Sequence, residues 1–312
     1  MEILLQLILL ALGFVMLVKG ADWFVDGAAG IATKFKIPQM VIGLTIVAMG
    51  TSAPEAAVSI SAALKGSAGI TIGNILGSNI LNILIILGLS AVITSLAIVK
   101  STIKVDVPFL IAISLLLFIC GLNGTIGFWE GLLFLVVFAG YLTYLVLDAK
   151  KNMQSEPEPE KEISVWKAIL FAVIGLVLIV LGSDFAVDAA TALARIFGLS
   201  ERFIGLTIVA LGTSLPELFT SVNAARKGNA DIAVGNIVGS NLFNILFVVG
   251  LSAVIIPVPF ASGFLYDTLV SIFAAVLIVA FSSKSKRLKR PAGVVMLLCY
   301  LVYFLAIWFK LW

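Results

Sequence analysis

Long apolar stretches, interrupted by short clusters of Gly, Pro, Lys and Asp, run the whole length of the chain. Many of these stretches reach the roughly 20 residues that span a hydrocarbon core. Windowing them against the breakers predicts helices near residues 3–20, 40–64, 70–95, 105–121 and 128–148, then 164–185, 202–225, 231–256, 264–282 and 292–311. Each boundary carries about 4 residues of slack. The expected class is therefore an all-α integral membrane protein of ten transmembrane helices. The first stretch has Glu2 rather than a basic segment before it and no small-residue cleavage pattern, so it reads as a membrane helix and not as a signal peptide.

Most predicted helices are apolar throughout, but the second, third, seventh and eighth carry polar residues, and these residues repeat. Laying Ile204–Ile255 on Ile42–Ile93 needs no gap and leaves about two-thirds of positions identical, the signature of an internal duplication. GLTIVAMGTSAPE at 43–55 returns as GLTIVALGTSLPE at 205–217, and GNILGSNILNIL at 73–84 returns as GNIVGSNLFNIL at 235–246. Asp22 and Asp26 return as Asp184 and Asp188. Five helices separate equivalent positions, and an odd number means that the second copy enters the membrane from the opposite side, giving two inverted five-helix repeats. The first half is placed at 1–147 with its repeat at about 38–94, and the second at 163–312 with its repeat at about 200–256. Between them, 148–162 includes Glu156, Pro157, Glu158, Pro159 and Glu160, a short polar linker that cannot bury a core.

Charge adds orientation. Lys34 and Lys36, Lys100 and Lys104, Lys150, Lys151 and Lys161, Arg226 and Lys227, and the cluster Lys284 to Arg290 occupy alternate loops, whereas the other loops hold only Lys65, Arg195 and Arg202. The positive-inside bias then puts both termini outside and the linker in the cytoplasm. A net charge of +3 with 61% hydrophobic residues gives no reason to expect a nucleic-acid partner. There is no histidine, and Cys120 and Cys299 each stand alone in an apolar run, so zinc and dithiol chemistry lack their residues. Neither HExxH nor GxSxG occurs, which argues against an intramembrane enzyme.

Candidate chemistry lies in the duplicated motifs. Thr45, Ala48, Ser52, Glu55 and Ser59 are spaced three and four apart, one polar stripe on a helix, and Thr207, Ala210, Ser214, Glu217 and Ser221 repeat it. A charged side chain at the bilayer centre costs about 2.5–3.5 kcal/mol on insertion scales, so a pair of glutamates there points to function. No Lys or Arg accompanies them, which leaves a mobile cation or a proton as the compensating charge. Pro54 and Pro216 lack an N–H and weaken the helix at Gly50 and Gly212, which turns nearby carbonyls such as those of Thr51 and Thr213 toward a cavity. Carboxylates beside carbonyls are hard-cation ligands, and calcium takes about six to eight oxygens. On the following helix Asn74, Ser78 and Asn82, matched by Asn236, Ser240 and Asn244, add amides and hydroxyls on one face. Gly73 and Gly77, like Gly235 and Gly239, are expected to let a neighbouring backbone approach closely. Asp22, Asp26, Asp184 and Asp188 are expected near helix ends, in ordinary exposed positions.

With G-T-S-x-P-E followed by G-N-x-x-G-S-N in both copies, the chain resembles the sodium/calcium exchanger branch of the calcium/cation antiporter superfamily, of prokaryotic type without a regulatory loop. The resemblance implies a sodium/calcium antiporter working by alternating access, with helices one and six sliding across the others and no cofactor beyond the transported ions. It implies calcium binding by Glu55 and Glu217 with the carbonyls of Thr51 and Thr213. Sodium would share both glutamates and use Ser52, Ser78 and the carbonyl of Ala48 in one half, and Ser214, Ser240 and the carbonyl of Ala210 in the other. Asn82 and Asn244 would close the central position. Some relatives, potassium-dependent ones included, carry aspartate at the position of Asn244, so asparagine there speaks against potassium dependence. The remaining alternatives are proton/calcium exchange, separated by whether sodium or a pH gradient drives uptake, and a cation channel, which the duplication disfavours. The lipid bilayer, Ca2+ and Na+ are the expected partners, and the protein is expected to act as a monomer.

Overall fold

The computed structural model describes residues 2–64, 68–152, 164–197 and 210–309. In chain order the helices are α1 (Glu2–Lys34), α2 (Gln39–Thr51), α3 (Ala53–Leu64), α4 (69–93), α5 (Thr102–Gly121), α6 (Phe128–Asn152), α7 (Val165–Ile196), α8 (Ala210–Thr213), α9 (Leu215–Arg226), α10 (Ala230–Ile255), α11 (Ser262–Ser282) and α12 (Arg290–Trp308). Among the described residues, eight helices are long and apolar enough to cross a membrane, nine if the bent pair α2–α3 counts as one broken span. The span expected at 202–225 is described only from Ala210 onward, as α8 and α9. Thr207, Lys65 and most of the expected linker lie outside the described residues.

Two helices overrun the sequence expectation. α1 continues to Lys34 instead of stopping near 20, and α7 to Ile196 instead of 185. Lys19-Gly20 reads as a stop, yet Gly20 is a packing residue: a methyl group there would sit 2.8 Å from the carbonyl of Gly175. The same closeness joins Gly13 to Gly182, and Gly27 to Ala168 and Ala172, so α1 and α7 lie antiparallel with their backbones nearly touching along their length. Asp22, Asp26, Asp184 and Asp188 consequently stand within long helices, not near their ends. The true stop of α1 comes at Lys36, whose φ of 53° is left-handed, followed by Pro38.

Inside the molecule, α4 and α10 form the central pair. In their most apolar windows 78% and 83% of residues are buried, against 17–33% for the other single-helix spans, which present apolar faces outward. On α10, Gly239 lets α2 pack close, since a Cβ there would lie 2.6 Å from the carbonyl of Leu44 and 2.8 Å from Ala48 Cβ. Gly235 similarly meets Gly43 and Met40, as its motif predicts. The repeat-equivalent partners for Gly73 and Gly77, at 205 and 206, lie outside the described residues.

Short strands tie the helix ends together. β1 (Leu96–Ala97) pairs with β4 (Arg287–Leu288), and β2 (Thr125–Ile126) pairs with β3 (Val258–Pro259). Leu96 opposite Leu288 and Ile126 opposite Val258 are the same pairing with the repeats exchanged. Gly131 against Gly250 and Gly293 against Gly88 repeat that exchange within the helices.

Candidate functional site

The site begins where helices break. Ser52 (φ −84°, ψ 9°) and Ser214 (φ −92°, ψ 5°) leave helical geometry, separating α2 from α3 and α8 from α9. Pro54 and Pro216 lie two residues later, where a proline ring displaces the preceding turn. The α2–α3 axis bends by 48°. Glu55 and Glu217 stand in the first turn after each break and are fully buried.

Each glutamate is held by the other half. Ser52 Oγ donates to Glu217 Oε1 at 2.7 Å, and Ser214 Oγ donates to Glu55 Oε1 at 3.2 Å. Ser78 Oγ lies 3.5 Å from Glu55 Oε1 and 3.4 Å from Ser214 Oγ. Ser240 Oγ donates to the carbonyl of Ala48 at 3.4 Å. Thr51 donates its hydroxyl to Asn236 Oδ1 at 3.0 Å, and Asn236 Nδ2 donates to Ser221 Oγ at 2.8 Å. Asn74 Nδ2 donates to Ser59 Oγ at 3.0 Å and to the Glu55 carbonyl at 3.3 Å. The pair Asn74 and Asn236 thus supports the helices that carry the glutamates. Thr45 turns away from this cluster, its hydroxyl satisfied by the Val41 carbonyl of its own helix at 2.6 Å.

What the network leaves over is informative. Glu55 Oε2, Glu217 Oε2, Asn82 Oδ1 and Asn244 Oδ1 are buried acceptors with no hydrogen-bond partner. Buried acceptors normally find a donor, and four unpaired oxygens contributed equally by both repeats ask for a cation or a proton. No Lys or Arg of the described residues forms an ion pair with either glutamate. Nor do the described residues hold a group of three or more His, Cys, Asp or Glu side chains, so the negative charge of this region is that of two carboxylates. Asn82 and Asn244 each begin a wide π turn, at Asn82–Leu87 and Asn244–Val249, a backbone form frequent at functional sites.

Thus the structure assembles Glu55, Glu217, Ser52, Ser214, Ser78, Ser240 and Thr51 around one buried region, with Ala48 contributing a carbonyl. Thr213 and Ala210 belong to α8, immediately before the second break, and Asn82 and Asn244 lie one turn beyond Ser78 and Ser240. Asn79 and Asn241 were not singled out by sequence pattern, although both repeat within G-N-x-x-G-S-N. Next to Ser78 and Ser240 in sequence, they fall off the helical stripe that carries the other polar residues. Also unforeseen are the Asp106–Tyr141 and Asp267–Tyr303 hydrogen bonds, at 3.1 and 3.0 Å. A further cluster joins Lys227 Nζ to Asp22 at 3.2 Å and Asp26 at 2.8 Å.

Comparison with known proteins decides the family. The sodium/calcium exchanger protein family matches residues 5–147 and 167–309. The chain belongs to the sodium/calcium exchanger family. It is a multi-pass membrane protein of a family of transporters, not enzymes, and it lacks a large loop between its halves. Among this exchanger's relatives, a putative antiporter CaxA of Alkalimonas amylolytica is 40% identical over 96% of the chain and 98% of its own length. The sodium/calcium exchanger MaX1 of Methanosarcina acetivorans is 32% identical over 98% and 99%. A structure of the sodium-calcium exchanger NCX_Mj soaked with zero Na+ and Ca2+ superposes with a TM-score of 0.87 at 30% identity, covering 98% of this exchanger and 99% of that chain.

Proposed function

We propose that this exchanger is a secondary antiporter that moves Na+ against Ca2+ through one buried site centred on Glu55 and Glu217. Two carboxylates neutralise one calcium ion, and the orphaned Glu and Asn oxygens, with hydroxyls and carbonyls at the helix breaks, supply hard-cation ligands. The observation that carries the reading is the pair of fully buried glutamates, each hydrogen-bonded to a serine of the opposite half and each retaining an unpaired oxygen. Calcium would be held by Glu55, Glu217 and the carbonyls of Thr51 and Thr213. Sodium would use the glutamates with Ser52, Ser78, Ser214, Ser240 and the carbonyls of Ala48 and Ala210, while Asn82 and Asn244 would close the central position and offer their free oxygens to either cation.

The architecture proposed for this activity is ten helices in two inverted repeats, both termini outside and the 148–162 linker in the cytoplasm, acting as a monomer. Support comes from the repeat offset, the exchanged strand pairs and the antiparallel α1–α7 contact. An empty, doubly negative site resists transfer through a low-dielectric core, so exchange is obligatory. Three sodium ions per calcium would move net charge, making the rate depend on membrane potential.

The test is calcium uptake into proteoliposomes loaded with sodium and diluted into sodium-free buffer with a proton ionophore present. Uptake that requires the sodium gradient supports the reading. Uptake driven only by a pH gradient, with the ionophore omitted, would assign the proton as coupling ion instead.

A further inference from the structure

Four buried asparagines meet where the two central helices cross: Asn79 and Asn82 from α4, Asn241 and Asn244 from α10. Their hydrogen bonds form a chain whose polarity can be deduced. A backbone carbonyl only accepts, so the Asn79 side-chain atom 3.2 Å from the Asn241 carbonyl is the amide nitrogen, as is the Asn241 atom 3.0 Å from the Asn79 carbonyl. The remaining atoms, Asn79 Oδ1 and Asn241 Oδ1, are then acceptors. They receive Asn244 Nδ2 at 3.1 Å and Asn82 Nδ2 at 3.0 Å. Consequently Asn82 and Asn244 keep their oxygens free, and those are the two orphaned amide acceptors of the site. Flipping Asn82 would set its oxygen against Asn241 Oδ1 and expose N–H groups where an oxygen now stands.

We propose that Asn79 and Asn241, which lie outside the inferred ligand set, are positioning residues that hold the amides of Asn82 and Asn244 oxygen-outward for a cation. The proposal rests on the exchanger reading of the site. Its rival is plain interhelical glue, which would cost the same whatever stands at 82. The two separate in a double-mutant cycle. An aspartate at 82 presents an oxygen whichever way it turns, so Asn241 no longer orients it, and Asn241 Oδ1 instead faces a like acceptor.

The experiment measures calcium KM and kcat for sodium-driven uptake by the reconstituted full chain. Asn241→Ala in the native background is expected to raise the calcium KM by about tenfold, with kcat changed by less than about threefold. Adding Asn241→Ala to Asn82→Asp is expected to leave KM within about twofold or to lower it, since the alanine removes an acceptor facing the carboxylate. Equal increases in the two backgrounds, on a working wild type, overturn the positioning role and leave glue. A wild type without sodium-driven calcium uptake would sink the exchanger reading and this assignment with it. Should Asn241→Ala fail to fold, Asn79→Ala with Asn244→Asp repeats the test on the other half, with the same two outcomes.

Discussion

The central pair α4–α10 and the outer pair α1–α7 solve opposite packing problems. Between α4 and α10, contact is polar and directional: four asparagine amides donate across the crossing to chosen oxygens, deep in the molecule. Between α1 and α7, contact is apolar and nearly featureless: glycines at 13, 20, 175 and 182 bring bare backbones together, and the flanking faces present exposed Leu, Val and Phe. Directional bonds define one geometry, whereas a glycine-lined face holds a distance without pinning a register. On the proposed antiporter reading, the centre recognises the ions and the outer pair moves.

Sharpening that division starts with the largest effect. Glu217→Gln or Glu55→Gln removes one of two buried charges from the centre, which should cost about 3–5 kcal/mol of cation binding, or ~100-fold or more in calcium affinity, read by equilibrium binding in detergent. A smaller effect of a different kind is expected at the outer pair. Gly20→Leu drives a side chain into the Gly175 backbone, an overpacking worth ~1–3 kcal/mol. Transport should drop about tenfold while calcium affinity stays within about threefold; a parallel loss of affinity would show that the outer pair also shapes the ion site. The least is expected of Lys227→Ala. Lys227 ties α1 to the end of α9 through Asp22 and Asp26, but these side chains are 27%, 33% and 44% exposed, so the link is worth no more than ~1 kcal/mol. Uptake rates should shift by less than about fivefold, and less still at high salt.

Which features could be read in the sequence follows from how local their causes are. The Glu55 and Glu217 stripes were legible because spacing on one helix and its repetition 162 residues later are both written along the chain. Helix ends such as that of α1 are not legible locally, because Lys19-Gly20 has the same character as a stop and only the α7 backbone across from it shows a packing site. Asn79 and Asn241 were passed over for a geometric reason: one residue off the polar stripe, each reaches the partner helix and not the glutamates. The Lys227 cluster had no local signature at all, since Lys227 and Asp26 are separated by 201 residues.

On the proposed reading, one pair of glutamates serves both ions. Its most direct test is calcium binding at equilibrium to the purified wild type and to the Glu55→Gln/Glu217→Gln double variant, titrated with sodium. Saturable calcium binding that sodium displaces is expected of the wild type, and none of the double variant although it remains folded. Calcium binding that survives loss of both carboxylates, or that sodium leaves untouched, would contradict it.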